Sequence, residues 1–139
     1  MKKLFENQKI IETEHFEVHQ DWEVPIPAFF IIAAKRKMRS VSDFTTDEAQ
    51  DFISLLVRVR EGMAEALGIK DVYLFQNEDT KHNFHFWVLP RYSWMERFGR
   101  KIQSVRPIMQ YAKDNMVTDT VIREVNDNVK QMQEYLTTK

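Results

Sequence analysis

Between His82 and Arg91 the chain reads His-Asn-Phe-His-Phe-Trp-Val-Leu-Pro-Arg, an aromatic and aliphatic run that carries two of the four histidines and stops at a proline. Few local structures accommodate such a run. Successive side chains of an extended strand alternate between faces, so Asn83, His85, Trp87 and Leu89 share one side, while His82, Phe84, Phe86 and Val88 share the other. With the second set turned toward a core, His85 stands between Asn83 and Trp87 on a surface that a ligand can reach. The rest of the chain then reads as scaffold for this strand.

Registered on Val88-Leu89-Pro90-Arg91, the run resembles the signature of the histidine triad superfamily, H-x-H-x-H followed by two apolar residues and often Pro-Arg. The three histidine positions fall on Asn83, His85 and Trp87, and only the middle one is kept. In the family that histidine attacks a nucleotide phosphorus, so the resemblance places the nucleophile on His85. His82 is one residue out of register and is expected to point away. Upstream, Gln20-Asp21 and then Pro27-Ala28-Phe29-Phe30-Ile31-Ile32-Ala33-Ala34-Lys35 are similar to the family's Asp and its Pro-Gly-His-(apolar)-Pro-Lys segment. By that resemblance Asp21 holds the ribose hydroxyls, Phe29 replaces a further active-site histidine, and Asn77 lies near the phosphates. The usual Gly-Gln-Ser loop is missing, and Glu78-Asp79-Thr80-Lys81 is shorter and has no glycine. The resemblance implies a ligand-contacting set of Asp21, Asn77, Asn83, Trp87 and Phe29 around His85, with neither metal nor cofactor.

A chain of 139 residues fits one domain and buries about 68–70% of its unfolded surface. With 20 basic and 21 acidic side chains the net charge is -1, so no global field recruits nucleic acid or an anionic membrane, and any phosphate affinity must be local. Cysteine is absent, which excludes disulfides, thiolate catalysis and cysteine-ligated zinc. No apolar run approaches the roughly 20 residues of a membrane span, and Met1 to Phe5 is too short for a signal peptide; the expected location is cytoplasmic.

Residues 2 to 8 read as a short helical lead-in with Leu4 and Phe5 inward, followed by an extended stretch from Ile10. Phe16, Val18 and Gln20 alternate with Glu17, His19 and Asp21 in the period of a half-buried strand. Pro25 and Pro27 mark a turn or edge segment before the apolar strand Phe29 to Ala34. Lys35-Arg36-Lys37-Met38-Arg39 is either a phosphate or partner contact or, more commonly for such a charge run, a solvated connection. Thr45-Thr46-Asp47-Glu48 is a capping box, and the apolar stripe from Phe52 to Leu67 ahead of Gly68 predicts a helix over 46–67. Val72 to Asn77 predicts a strand forming a hairpin with the His85 strand. The aromatics and cations from Arg91 to Lys101 can stack on a base, but more often such residues cover a sheet edge. Pro107 opens a helix to about Lys113, and Thr118 or Asp119 caps a last one. Its seam of Ile122, Val125, Val129, Met132 and Leu136 buries against its own sheet or against a second copy.

The expected architecture is therefore α+β: a histidine-triad-like antiparallel sheet of about five strands packed by a long helix over residues 1–104, and a helical extension over 105–139. The resemblance also implies a homodimer whose sheets meet edge to edge. Imidazole suits nucleotidyl transfer because it is partly neutral at pH 7 and leaves well when a second nucleophile attacks. By the resemblance, a backbone carbonyl at the first triad position orients the imidazole, and one at Asn83 can serve as well as one at histidine, whereas the indole of Trp87 is donor-only and cannot shuttle a proton. Thr80, Lys81 and His82 are candidate replacements. Paired on one strand, His82 and His85 face opposite sides and do not chelate a metal together. His15 and His19 have no visible partner and read as surface residues. Two functions stay open: a hydrolase or transferase of nucleotide phosphoanhydrides or phosphoramidates, such as dinucleoside polyphosphates, through a His85 intermediate, or a module that binds a nucleotide or a protein without turnover. Sheet-borne RNA binding is disfavoured by the near-zero charge.

Overall fold

The structure is a computed structural model and describes residues 3–138. Strands β1 (Lys9–Glu12), β2 (Phe16–Gln20), β3 (Phe30–Ala34), β4 (Val72–Gln76) and β5 (His85–Pro90) pair antiparallel in the order β1-β2-β3-β5-β4. β5, the strand that ends at the proline, thus lies inside the sheet with β3 and β4 on its flanks. The β4–β5 hairpin expected from the sequence forms, with Gln76 opposite Phe86. The lead-in is not helical over residues 3–8, and residue 2 lies outside the described residues. The N–H groups of Leu4 and Phe5 instead donate to the Trp22 carbonyl at 2.7 and 3.2 Å, which draws Phe5 into the core.

One face of the sheet carries Phe16, Val18, Phe30, Ile32 and Val88 into a core closed by α1 (Thr46–Leu67) and α3 (Asp119–Thr138). The capping box of α1 is formed: the Glu48 N–H donates to Thr45 Oγ1, and the Thr45 N–H donates to Glu48 Oε1. Glu48 also takes the Arg36 guanidinium at 2.8 Å, and that contact, followed by the Thr45 N–H, pulls its pKa down to about 2. Gly68 ends the helix at φ 68°, where a side chain would be strained. Val125, Val129, Met132 and Leu136 of the last helix are buried in this same core, so the seam packs against its own domain. Gly62 allows the two helices to meet this closely, since a Cβ there would lie 2.9 Å from Met132 Cε.

The opposite face has a core of its own, built from Phe29, Leu89, Met95 and the inner side of α2 (Val105–Asn115), with Phe75 and Trp87 packed against it. β5 is therefore covered on both faces at its C-terminal end, Val88 entering one core and Leu89 the other. This corrects the expectation of one buried and one open face. The run Phe86-Trp87-Val88-Leu89 is continuously apolar, as strands buried on both sides are. Only the N-terminal end of β5, at His85, clears the second core.

The basic stretch after β3 is an ion-paired connection. Arg36 binds Glu48, Lys35 Nζ lies 2.6 Å from Glu12, and Arg39 lies 3.7 Å from Glu78. Among the described residues no helix is long and apolar enough to cross a membrane.

Candidate functional site

His85 owes its position to its two predecessors. Phe84 is 1% exposed and plugs into the first core. Asn83 turns its amide back onto the connection after β3: Oδ1 accepts the Met38 N–H at 2.7 Å, and Nδ2 donates to the carbonyls of Ala34 and Arg36 at 2.9 and 3.1 Å. The side chain of Asn83 is thereby spent on backbone partners. With β5 fixed at that point, His85 lines a cavity of about 360 Å³ together with Asp21, Asn77, Asn83 and Trp87, five of the six residues singled out from the sequence. Phe29 is not among the lining residues: it is fully buried in the second core, 6.4 Å from the Phe75 ring.

Asp21 closes one wall. It is 8% exposed, its Oδ1 accepts the N–H groups of Glu23 and Val24 at 2.9 Å, and its Oδ2 accepts the indole N–H of Trp87 at 3.3 Å. Trp87 stacks on Phe75 at 5.5 Å and 17°, so its plane is set from behind. On the other side of the cavity Asn77 accepts the Asp79 N–H with its amide oxygen, which folds the 77–81 loop over the rim.

The surroundings of His85 are aromatic and imidazole-rich. Trp22 meets it edge to face at 6.2 Å, and His19 stacks on Trp22 at 4.9 Å and 7°. His19 is 7% exposed with its Nδ1 2.9 Å from the Gln20 carbonyl, so it is not a surface residue. The sheet register explains this: His19 pairs with Ile31 and Ile31 with Trp87, which puts His19 in one row with the cavity wall. His82 is likewise not turned away. The strand begins only at His85, so His82 rides the preceding loop into the cavity, with its ring 6.4 Å from that of His85. Thr80 and His82, two of the three candidate replacements for proton handling, line the cavity, whereas Trp22 was missed, although an aromatic beside the candidate acid was a usable signal.

Burial lowers the pKa of His85, helped by His19 and His82 nearby, while a polar contact to the Asn83 backbone and the charge of Asp21 act the other way. Burial likewise lowers that of His19. Folding thus prefers both rings neutral. The stability they contribute is complete above their ordinary value of 6.5 and declines as the pH falls below it. A neutral imidazole has a free lone pair, the form required for attack on phosphorus. The lining carries one lysine, Lys3, whose ammonium sits 4.2 Å over the Trp22 ring, against the two carboxylates of Asp21 and Glu23.

No protein-family model and no curated protein sequence matches this chain. Solved structures do. A zinc-bound histidine triad family protein from Mycobacterium smegmatis superposes with a TM-score of 0.63 at 14% identity, covering 94% of this chain and 84% of that one. A Hit-like protein involved in cell-cycle regulation from Bartonella henselae gives 0.61 at 14% identity, over 91% and 84% of the two chains. The diadenosine triphosphate hydrolase of Plasmodium falciparum, solved with cyclomarin A, gives 0.61 at 14% identity over 100% and 84%. The five-stranded antiparallel sheet, with α1 and α3 packed on one face, is the histidine triad fold, and this chain has it.

Proposed function

We propose that the His85 cavity binds a nucleoside phosphate and that His85 is the nucleophile of a nucleotide hydrolase or transferase. The observation that carries this reading is the grouping of a neutral, half-buried imidazole with Asp21 and Asn77 around one cavity, in a fold shared with a diadenosine triphosphate hydrolase. In the first step an imidazole nitrogen bonds to the phosphorus, the anhydride P–O bond breaks, and the leaving phosphate departs with the electron pair. In the second, water attacks the same phosphorus, the P–N bond breaks, and the water proton passes to solvent. Trp87 sets the leaving group. Its one N–H is held by Asp21 and it has no acceptor, so the indole relays no proton to the departing atom. A phosphoanhydride, which leaves as a stable anion, suits such a site better than a phosphoramidate, whose amine must be protonated.

Incubation with a dinucleoside polyphosphate, quenched without acid, is expected to add one nucleotidyl mass to the wild-type chain and none to His85→Ala. Because burial lowers the pKa of the ring, the rate of adduct formation should begin to fall at a lower pH than it would for an ordinary imidazole. An unmodified wild type would remove the enzyme reading for that substrate.

A second reading, binding without turnover, is favoured by the indole contact that occupies the Asp21 oxygen a ribose would need. Protection from thermal unfolding by a nucleotide, with no adduct, is its signature. We further propose an edge-to-edge homodimer through β4, which lies at the sheet edge and exposes Leu74. Light scattering should give twice the chain mass at micromolar concentration, and a monomer mass would rule it out.

A further inference from the structure

Behind Trp87 lies a second cavity of about 490 Å³ that shares Trp87 and Asn77 with the first. Phe75 and Met109 line its apolar side, and the outer turns of α2 bring Arg106 and Lys113 to its edge. These two cations are seven residues, or about 10 Å, apart along the helix. Both are exposed, and among the described residues neither has an ion pair. The nearest acid on the helix, Asp114, is engaged by the Gln110 amide at 3.0 Å.

The charge distribution of the two cavities is lopsided. The His85 cavity sets two carboxylates, Asp21 and Glu23, against the single ammonium of Lys3 over the Trp22 ring. A nucleoside with several phosphates would bring three or more negative charges into that space with little to balance them. The unpaired cations lie one indole away, in a cavity that opens onto the same residues. We infer that the groove between Trp87 and α2 is a polyphosphate subsite, in which Arg106 and Lys113 hold the phosphate chain of a ligand whose nucleoside sits beside Asp21. The inference rests on the nucleotide reading for the nucleoside half only. The phosphate half stands on the cations themselves, because charge-assisted contacts to phosphate do not depend on what the phosphate is attached to.

The test uses the full chain and two probes in calorimetric titrations at low salt. Inorganic tripolyphosphate is expected to bind the wild type and to lose tenfold or more in affinity with Arg106→Gln/Lys113→Gln, two exposed positions where folding is unaffected. Adenosine monophosphate is expected to bind both chains equally. If tripolyphosphate fails to bind, or binds the double variant as tightly as the wild type, the subsite is overturned. If tripolyphosphate behaves as expected and the monophosphate binds neither chain, the subsite stands and the nucleotide reading of the His85 cavity falls.

Discussion

Phe84→Ala is expected to lower the free energy of unfolding by about 3–5 kcal/mol, the range for truncating a buried aromatic. The ring is 1% exposed and meets Phe44 and Phe52 at 5.3 and 5.9 Å, so no rearrangement of one neighbour fills the void. Its backbone matters as much. The Phe84 N–H donates to the Met38 carbonyl at 3.0 Å and its carbonyl accepts the Ala34 N–H at 3.2 Å, stitching the approach to β5 onto the end of β3. His85 is the next residue, so the variant should also slow nucleotidyl adduct formation under conditions where it stays folded. Urea denaturation measures the first effect; a loss below about 1 kcal/mol would show that the aromatic cluster is not what fixes the strand.

The second large effect is expected from Asn83→His, the change that moves the sequence toward a triad. The amide makes three hydrogen bonds to backbone groups of the connection after β3. An imidazole has one donor and one acceptor when neutral and cannot reproduce two donations and one acceptance. With net bonds of about 0.5–1.5 kcal/mol each, and more for a buried group left unpaired, the cost is about 2–4 kcal/mol. Asn83→His/Trp87→His, which recreates the H-x-H-x-H spacing, should therefore be less stable than the wild type and gain no turnover. Increased turnover at unchanged urea stability would show that the amide is replaceable and that the chain is only a damaged triad.

These expectations show which parts of the molecule the sequence could reveal. The helix over 46–67 was legible because its start and stop are local: Thr45 and Glu48 satisfy each other's N–H groups, and Gly68 takes the left-handed turn. The His85–Asp21–Asn77 grouping was legible only through the family resemblance, and the cavity does bring those three together. Contacts fixed by sheet order were not legible. Nothing local says that Trp87 bonds Asp21 across 66 positions, or that His19 lies in one row with Ile31 and Trp87. His82 was misplaced by extending the strand alternation three residues too far, past the point where Asn83 folds back. Phe29 was misjudged because the second core has to be closed by α2, and the inward face of that helix is visible in the sequence while its docking site is not.

Ala28 is fully buried at φ 63°, in the left-handed region, at the place where the family resemblance implies a glycine. An L-residue there carries a conformational penalty of about 1 kcal/mol. The turn is held against it by the Asp21 N–H on the Phe29 carbonyl and by the Gln20 amide on the Ile26 carbonyl, bonds that originate on the segment bearing the cavity carboxylate. Any ligand that pulls on Asp21 therefore acts on a turn already under tension.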